Sequence, residues 1–219
     1  MRIHVHLTPN REVVPFNYQP HLAGAFHKWL GVNDYHDDLS LYSLSWLSRG
    51  RIKAGKGLDF SRGCSFFIST PEVAILKAIV GGIQRDPQVA FGMAVREVVL
   101  QPTPDFGGEQ TFFLQSPVLI KRQLEKRTQF YFPQDQEADQ LLTETLQHKL
   151  QKAGMEDAEI SVGFDRSYPK IKTKVATYKG IDNKGTFCPV HISGDPRAVA
   201  FAWEVGIGNS TGIGFGALK

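Results

Sequence analysis

Gly206-Ile-Gly-Asn-Ser-Thr-Gly-Ile-Gly-Phe-Gly-Ala-Leu-Lys219 closes the sequence, with glycine at positions 206, 208, 212, 214 and 216. Lacking a Cβ, glycine reaches positive φ angles and lets backbone N–H groups approach a ligand, typically an anion such as phosphate. Neither common nucleotide fingerprint fits. Gly206-x-Gly208 lacks the third glycine at the required spacing, and no Gly-Lys-Ser/Thr follows Gly212. A Rossmann or P-loop site would also need a helix after the glycines, and the sequence offers none. A mobile tail is the competing reading. Against it, Ile207, Ile213, Phe215 and Leu218 interleave the glycines, and such side chains anchor a loop on a core.

A chain of 219 residues with 42% hydrophobic composition can bury a sizeable core, in one large domain or two of about 100 residues. A net charge of +3 permits a nucleic-acid partner without requiring one. Residues 1–100 carry 11 Lys/Arg against 8 Asp/Glu, and residues 101–219 carry 14 against 14, so any basic surface must come from local clustering. Cys64 and Cys188 form no Cys-x-x-Cys, which suggests neither a zinc knuckle nor a disulfide framework. The start has no apolar signal region, and no run of about 18 apolar residues occurs, so a soluble, cytoplasmic protein with no membrane partner is expected.

Residues 2–7 alternate Ile3, Val5 and Leu7 with Arg2, His4 and His6, the pattern of a half-buried strand. Residues 17–31 place Leu22, Ala25, Phe26, Trp29 and Leu30 on one helical stripe that Gly31 ends, with His27 off the stripe. A strand is expected over 39–47. A basic loop follows over 49–62, with Arg49, Arg51, Lys53, Lys56 and Arg62 against the single Asp59. Cys64–Ser69 reads as a strand, Thr70–Val80 as a helix capped by Thr70 with Pro71 at its first position, and Val89–Leu100 as a strand.

That order is the ferredoxin-like, or RRM-like, plan. The proline- and glycine-rich residues 101–110 read as a linker, and the plan then recurs. Strands are expected over 111–120 and 159–164, a helix over 134–153 with Leu141, Leu142, Thr145 and Leu146 inward, and a helix over 195–205 begun by Asp195-Pro196. A hairpin is expected between Lys170–Lys179 and Thr186–Ser193. The expectation is therefore an α+β chain of two tandem ferredoxin-like domains, 1–100 and 111–219, each an antiparallel sheet with helices on one face.

The C-terminal Gly-x-Gly-x-x-x-Gly-x-Gly-Phe-Gly resembles the glycine-rich loop of the RAMP proteins of CRISPR systems, most closely the Cas-six type endoribonucleases that cut precursor guide RNA within its repeats. The resemblance implies a metal-independent endoribonuclease in which a 2′-hydroxyl attacks the adjacent phosphate, leaving 2′,3′-cyclic phosphate and 5′-hydroxyl ends, with no cofactor. Its partner would be CRISPR repeat RNA. Other CRISPR effector subunits and a second copy of the chain are further associations it leaves open. The alternative from another class is a non-catalytic CRISPR RNA-binding subunit on the same fold.

Such cleavage needs a base, an acid and positive groups beside the phosphate, and histidine serves either proton-transfer role near neutrality. The resemblance implies His27, at the first helix's end, and His36, in the loop after it, as the catalytic pair, with base and acid unassigned. Ser40 stands where the family often keeps a lysine, so the cationic role would pass to Lys28, Arg49 or Arg51. By residue chemistry alone, His27 reads as a helix-surface residue and His36, beside Asp34, Asp37 and Asp38, as a solvated loop histidine; the resemblance reverses that preference. Lys170, Lys172 and Lys174 alternate with Ile171 and Thr173, so a strand here aims three ammonium groups at one face. Such a row tracks phosphates, although an edge strand guarded by lysines explains it as well. Lys53 joins the opposite wall of this expected RNA groove, with Gly208, Gly212, Gly214 and Gly216 holding the RNA backbone.

Overall fold

The computed structural model describes residues 1–31, 39–48, 50–53, 55–125 and 127–219. Strand β1 (Arg2–Leu7) buries Ile3, Val5 and Leu7 beneath helix α1 (Gln19–Leu30), whose inner face carries Leu22, Ala25, Phe26, Trp29 and Leu30. The chain continues through β2 (Ser43–Leu44), a hairpin of β3 (Arg51–Lys53) and β4 (Gly57–Asp59), β5 (Cys64–Ser69), helix α2 (Val73–Arg85) and β6 (Val95–Gln101). The sheet order β2-β5-β1-β6, antiparallel throughout, is that of a ferredoxin-like unit.

Besides the β3–β4 hairpin that forms within the loop expected over 49–62, three local expectations change in this unit. Only Ser43 and Leu44 of 39–47 pair as a strand, because the Trp46 N–H turns away to Gln115 O in the second unit while its neighbours Ser45 and Ser48 bond to β5. Helix α2 begins at Val73 rather than Thr70. The Thr70 hydroxyl accepts from the Glu72 N–H at 3.1 Å and donates to Leu41 O at 2.9 Å, which leaves Pro71 outside the helix. The third shift is at residues 89–94, which form a tight loop in which Phe91 takes φ 55°, so the last strand starts at Val95.

The second unit opens with β7 (Glu109–Phe112), the hairpin β8 (Ile120–Gln123) and β9 (Thr128–Tyr131), and helix α3 (Ala138–Lys152). It continues with β10 (Ile160–Phe164), β11 (Lys172–Tyr178), β12 (Ile181–Phe187), β13 (Val190–Gly194) and helix α4 (Pro196–Val205). Its sheet runs β10-β13-β7, and the fourth strand of the plan is reduced to a bridge between Leu114 and Leu218. Asp195 caps α4 by accepting from the Arg197 N–H, with Pro196 in the first turn, as its sequence implies.

The hairpin partner differs from expectation. β11 pairs with Ile181–Phe187 through Lys179-Gly180, both at positive φ (49° and 78°), the geometry that two-residue hairpin turns require. β13, with Val190 and Ile192 fully buried, instead fills the centre of the three-stranded sheet. Among the described residues no helix is long and apolar enough to cross a membrane.

The two units are joined by buried polar contacts. Arg2 lies between the rings of Phe67 and Trp203, at 3.6 and 3.7 Å, and donates to Leu218 O at 2.7 Å and Trp203 O at 3.2 Å. Ser43 Oγ donates to Glu204 O at 3.1 Å, tying β2 to the last turn of α4.

Candidate active site and RNA interface

His27 sits in the last turn of α1, half-buried, its ring 5.1 Å from that of Phe26 in an edge contact. Phe26 stacks on Tyr42 at 4.6 Å. Tyr42 is buried, its phenol is hydrogen-bonded to Ser40, and burial raises its pKa; Tyr178 of β11 adds to that rise. Ser40 and the Tyr42 ring in turn lie against Gly212, where a Cβ would fall 2.6 Å from Ser40 Oγ and 2.9 Å from the Tyr42 ring. A continuous set of contacts thus runs from His27 through Phe26, Tyr42 and Ser40 to the glycine-rich tail. α1 also packs against the short 3₁₀ turn Thr211–Ile213 and against β11, which carries Lys172 and Lys174.

The tail is an interior element. Ile207, Phe215 and Leu218 are buried as their interleaving implies, while Ile213 is half-exposed. Gly208, Gly212, Gly214 and Gly216 are themselves buried, and the N–H groups of Gly214 and Gly216 donate to Thr211 O and Pro117 O. The Gly214 carbonyl accepts from Trp46 Nε1 at 2.6 Å. The Gly214 and Gly216 amides are thus bonded within the chain, and at Gly208 the close approach is to the protein's own backbone, with Leu119 O 2.5 Å from where a Cβ would be. Asn209, Ser210 and Ile213 form the partly exposed edge.

Lys149 is the residue that sequence patterning gives least reason to suspect. It is fully buried in α3, and its ammonium donates to Val205 O at 3.0 Å, Gly206 O at 3.2 Å and Thr211 Oγ1 at 3.0 Å. The Thr211 hydroxyl then donates to Tyr42 O at 2.9 Å. One lysine thereby caps α4, fixes the start of the tail, and reaches the Ser40–Tyr42 segment of the other unit. The available signal is its spacing, since Leu142, Leu146 and Lys149 share one helical stripe.

Burial pushes the Lys149 ammonium down from 10.5 to about 7. Below pH 7 folded and unfolded chains both hold the proton, whereas between about 7 and 10.5 the unfolded chain holds more, so this group makes stability rise with pH across that window. Urea denaturation at pH 6 and pH 9 should show this rise in the wild type and a flatter dependence in Lys149→Met. An identical dependence in the two would refute the assignment.

The cations divide by environment. Lys28 donates to Asp86 at 2.8 Å and Gln88 O at 2.6 Å, which ties α1 to the residues after α2. Arg51 and Lys53 are exposed on β3. Lys172 and Lys174 are exposed at alternate positions of β11, and Lys170 precedes the strand, beside Phe113 and Tyr168. The Arg166 guanidinium is held by both oxygens of Asp139, at 2.6 and 3.0 Å. His36 and Arg49 lie outside the described residues. Among the described residues no cluster of three or more His, Cys, Asp or Glu is placed to hold a metal ion.

Residues 101–219 match the family model described as CRISPR associated protein Cas6, C-terminal. The chain is 25% identical over its full length to the CRISPR-associated endoribonuclease Cas6 1 of Methanocaldococcus jannaschii, across 92% of that protein. Among solved structures, it matches one reported as the characterization of a Cas6-related gene from Pyrococcus furiosus, with a TM-score of 0.87 and 20% identity over 100% of this chain and 97% of the other. A second, described as a RAMP protein binding different RNA substrates, gives a TM-score of 0.84 and 21% identity over 100% of this chain and 98% of that one. Both structures share the α+β fold described above.

Proposed function

Because the chain belongs to the CRISPR-associated Cas6 family, we propose that it is an endoribonuclease that cleaves CRISPR repeat RNA within precursor crRNA, without a metal ion. The observation that supports this reading is the contact path from His27 through Phe26, Tyr42 and Ser40 to Gly212, which connects the helix turn carrying an imidazole to the glycine-rich tail. In the reaction a base removes the proton from the 2′-oxygen, which then bonds to the neighbouring phosphorus. The bond from phosphorus to the 5′-oxygen breaks, and an acid returns a proton to that oxygen. The products are a 2′,3′-cyclic phosphate and a 5′-hydroxyl.

His27 and His36 take the two proton-transfer roles. Ser40 and the exposed Arg51, Lys53, Lys170, Lys172 and Lys174 are assigned to the phosphate path. The glycines act indirectly, by letting the tail sit close enough to Ser40 and Tyr42 to fix them. One observation favours a second reading, a non-catalytic subunit that holds guide RNA: Ser40 brings no charge to its position, and its hydroxyl is engaged with Tyr42.

Incubation with repeat RNA in EDTA, alongside RNA carrying a 2′-deoxy sugar at the cut site, separates the two. Cleavage that persists in EDTA and stops with the deoxy sugar is the expected result. Tight binding without cleavage would establish the second reading instead.

A further inference from the structure

Phe113 follows β7 on the face of the three-stranded sheet opposite the one on which the described helices pack, the same face as Thr111 and the His191–Glu109 pair. At 56% exposed it is a large ring left in solvent. Tyr168 approaches it edge-on, with centroids 6.0 Å apart and planes at 77°, so the two rings form the walls of a corner. Leu114, Phe187, Cys188 and Pro189 line the rest of this cleft, and Lys170 and Lys172 stand at its rim. Among the described residues, none of those lining it carries a carboxylate.

We propose that this corner is a seat for one unpaired nucleobase of the RNA, stacked on Phe113 and bounded by Tyr168, with Lys170 and Lys172 engaging the flanking phosphates. A base inside a duplex has both faces covered by its neighbours, so only an unpaired base offers a face to an aromatic ring. The absence of acidic side chains among the lining residues and the two rim ammonium groups suit a polyanion. The inference rests on the RNA-binding reading above, and adds that the bound RNA includes a single-stranded stretch running over the second unit's open sheet face.

The test is a binding titration with repeat RNA and with a series of RNAs carrying single abasic sites. Phe113→Ala is expected to weaken binding of intact RNA about 5- to 150-fold, the loss typical of one stacked base, with no change in melting temperature because the ring is largely solvated. One abasic position should weaken the wild type by the same factor and leave Phe113→Ala unaffected. Phe113→Trp should bind like the wild type. Lys170→Ala and Lys172→Ala should each lower the salt slope of affinity by ~0.7, the single-strand value per phosphate contact.

Unchanged affinity in Phe113→Ala, or equal further losses in that variant at every abasic position, overturns the seat while leaving the nuclease reading intact. Failure of the wild type to bind repeat RNA at all overturns both.

Discussion

Alanine at position 27 is expected to slow single-turnover cleavage of repeat RNA by about 10²- to 10⁴-fold, the contribution of one positioned acid or base, while affinity changes little. The geometry distinguishes this from a folding defect. The neighbouring Phe26 and Trp29 supply the fully buried rings of α1, whereas His27 is half-buried at the helix end. Its imidazole meets the Phe26 ring in an edge contact while Phe26 separately stacks on Tyr42, so truncation leaves the Phe26–Tyr42 pair in place. Rates measured at saturating RNA, across pH, would show the loss of one limb of the wild-type profile in His27→Ala. A rate within threefold of the wild type would remove His27 from the reaction and transfer its role to another group near Tyr42 and Tyr178.

Gly216→Ala is expected to have the largest effect on stability of any alanine substitution in the tail. Gly216 takes φ 61°, and a Cβ there would lie 1.8 Å from Ile207 O, while the Ile207 N–H bonds to Gly216 O at 3.0 Å. No side-chain rotation relieves a clash with backbone in a buried segment of the tail. Overpacking and the left-handed conformation together should cost on the order of 3 kcal/mol or more, a large share of a typical domain's stability.

Gly214→Ala is the matched control. It also sits at positive φ, 93°, but its Cβ would meet nothing closer than the Trp46 ring at 3.5 Å, so only the backbone penalty of about 1 kcal/mol applies. Equal losses for the two in urea denaturation would show that backbone conformation, rather than the Ile207 carbonyl, decides the effect. Because Gly212 and Thr211 hold Ser40 and Tyr42, any Gly216→Ala protein that does fold should also cleave more slowly.

Much of the architecture is legible in local patterns. The alternation of Ile3, Val5 and Leu7, the stripe from Leu22 to Leu30 and the cap at Asp195 each act within a few residues, and each appears as its sequence implies. Ile207, Phe215 and Leu218 announce an anchored tail for the same reason, since apolar side chains between glycines have few alternatives to burial. Strand pairing is less legible: Lys179-Gly180 sets the β11–β12 register through two positive φ angles, a turn signal that the run of lysines before it obscures.

Amino-acid order therefore determined the two repeats of the fold, the buried faces of their helices and the presence of an anchored glycine-rich end. Tertiary structure alone decided which carbonyls and hydroxyl the Lys149 ammonium meets, that Tyr42 links α1 to Gly212, and that Phe113 and Tyr168 meet 55 residues apart. The physical reason is range. Propensity and periodicity report on neighbours three or four positions away, whereas each of these contacts joins distant segments through hydrogen bonds, stacking and close approach that exist only once both units have packed.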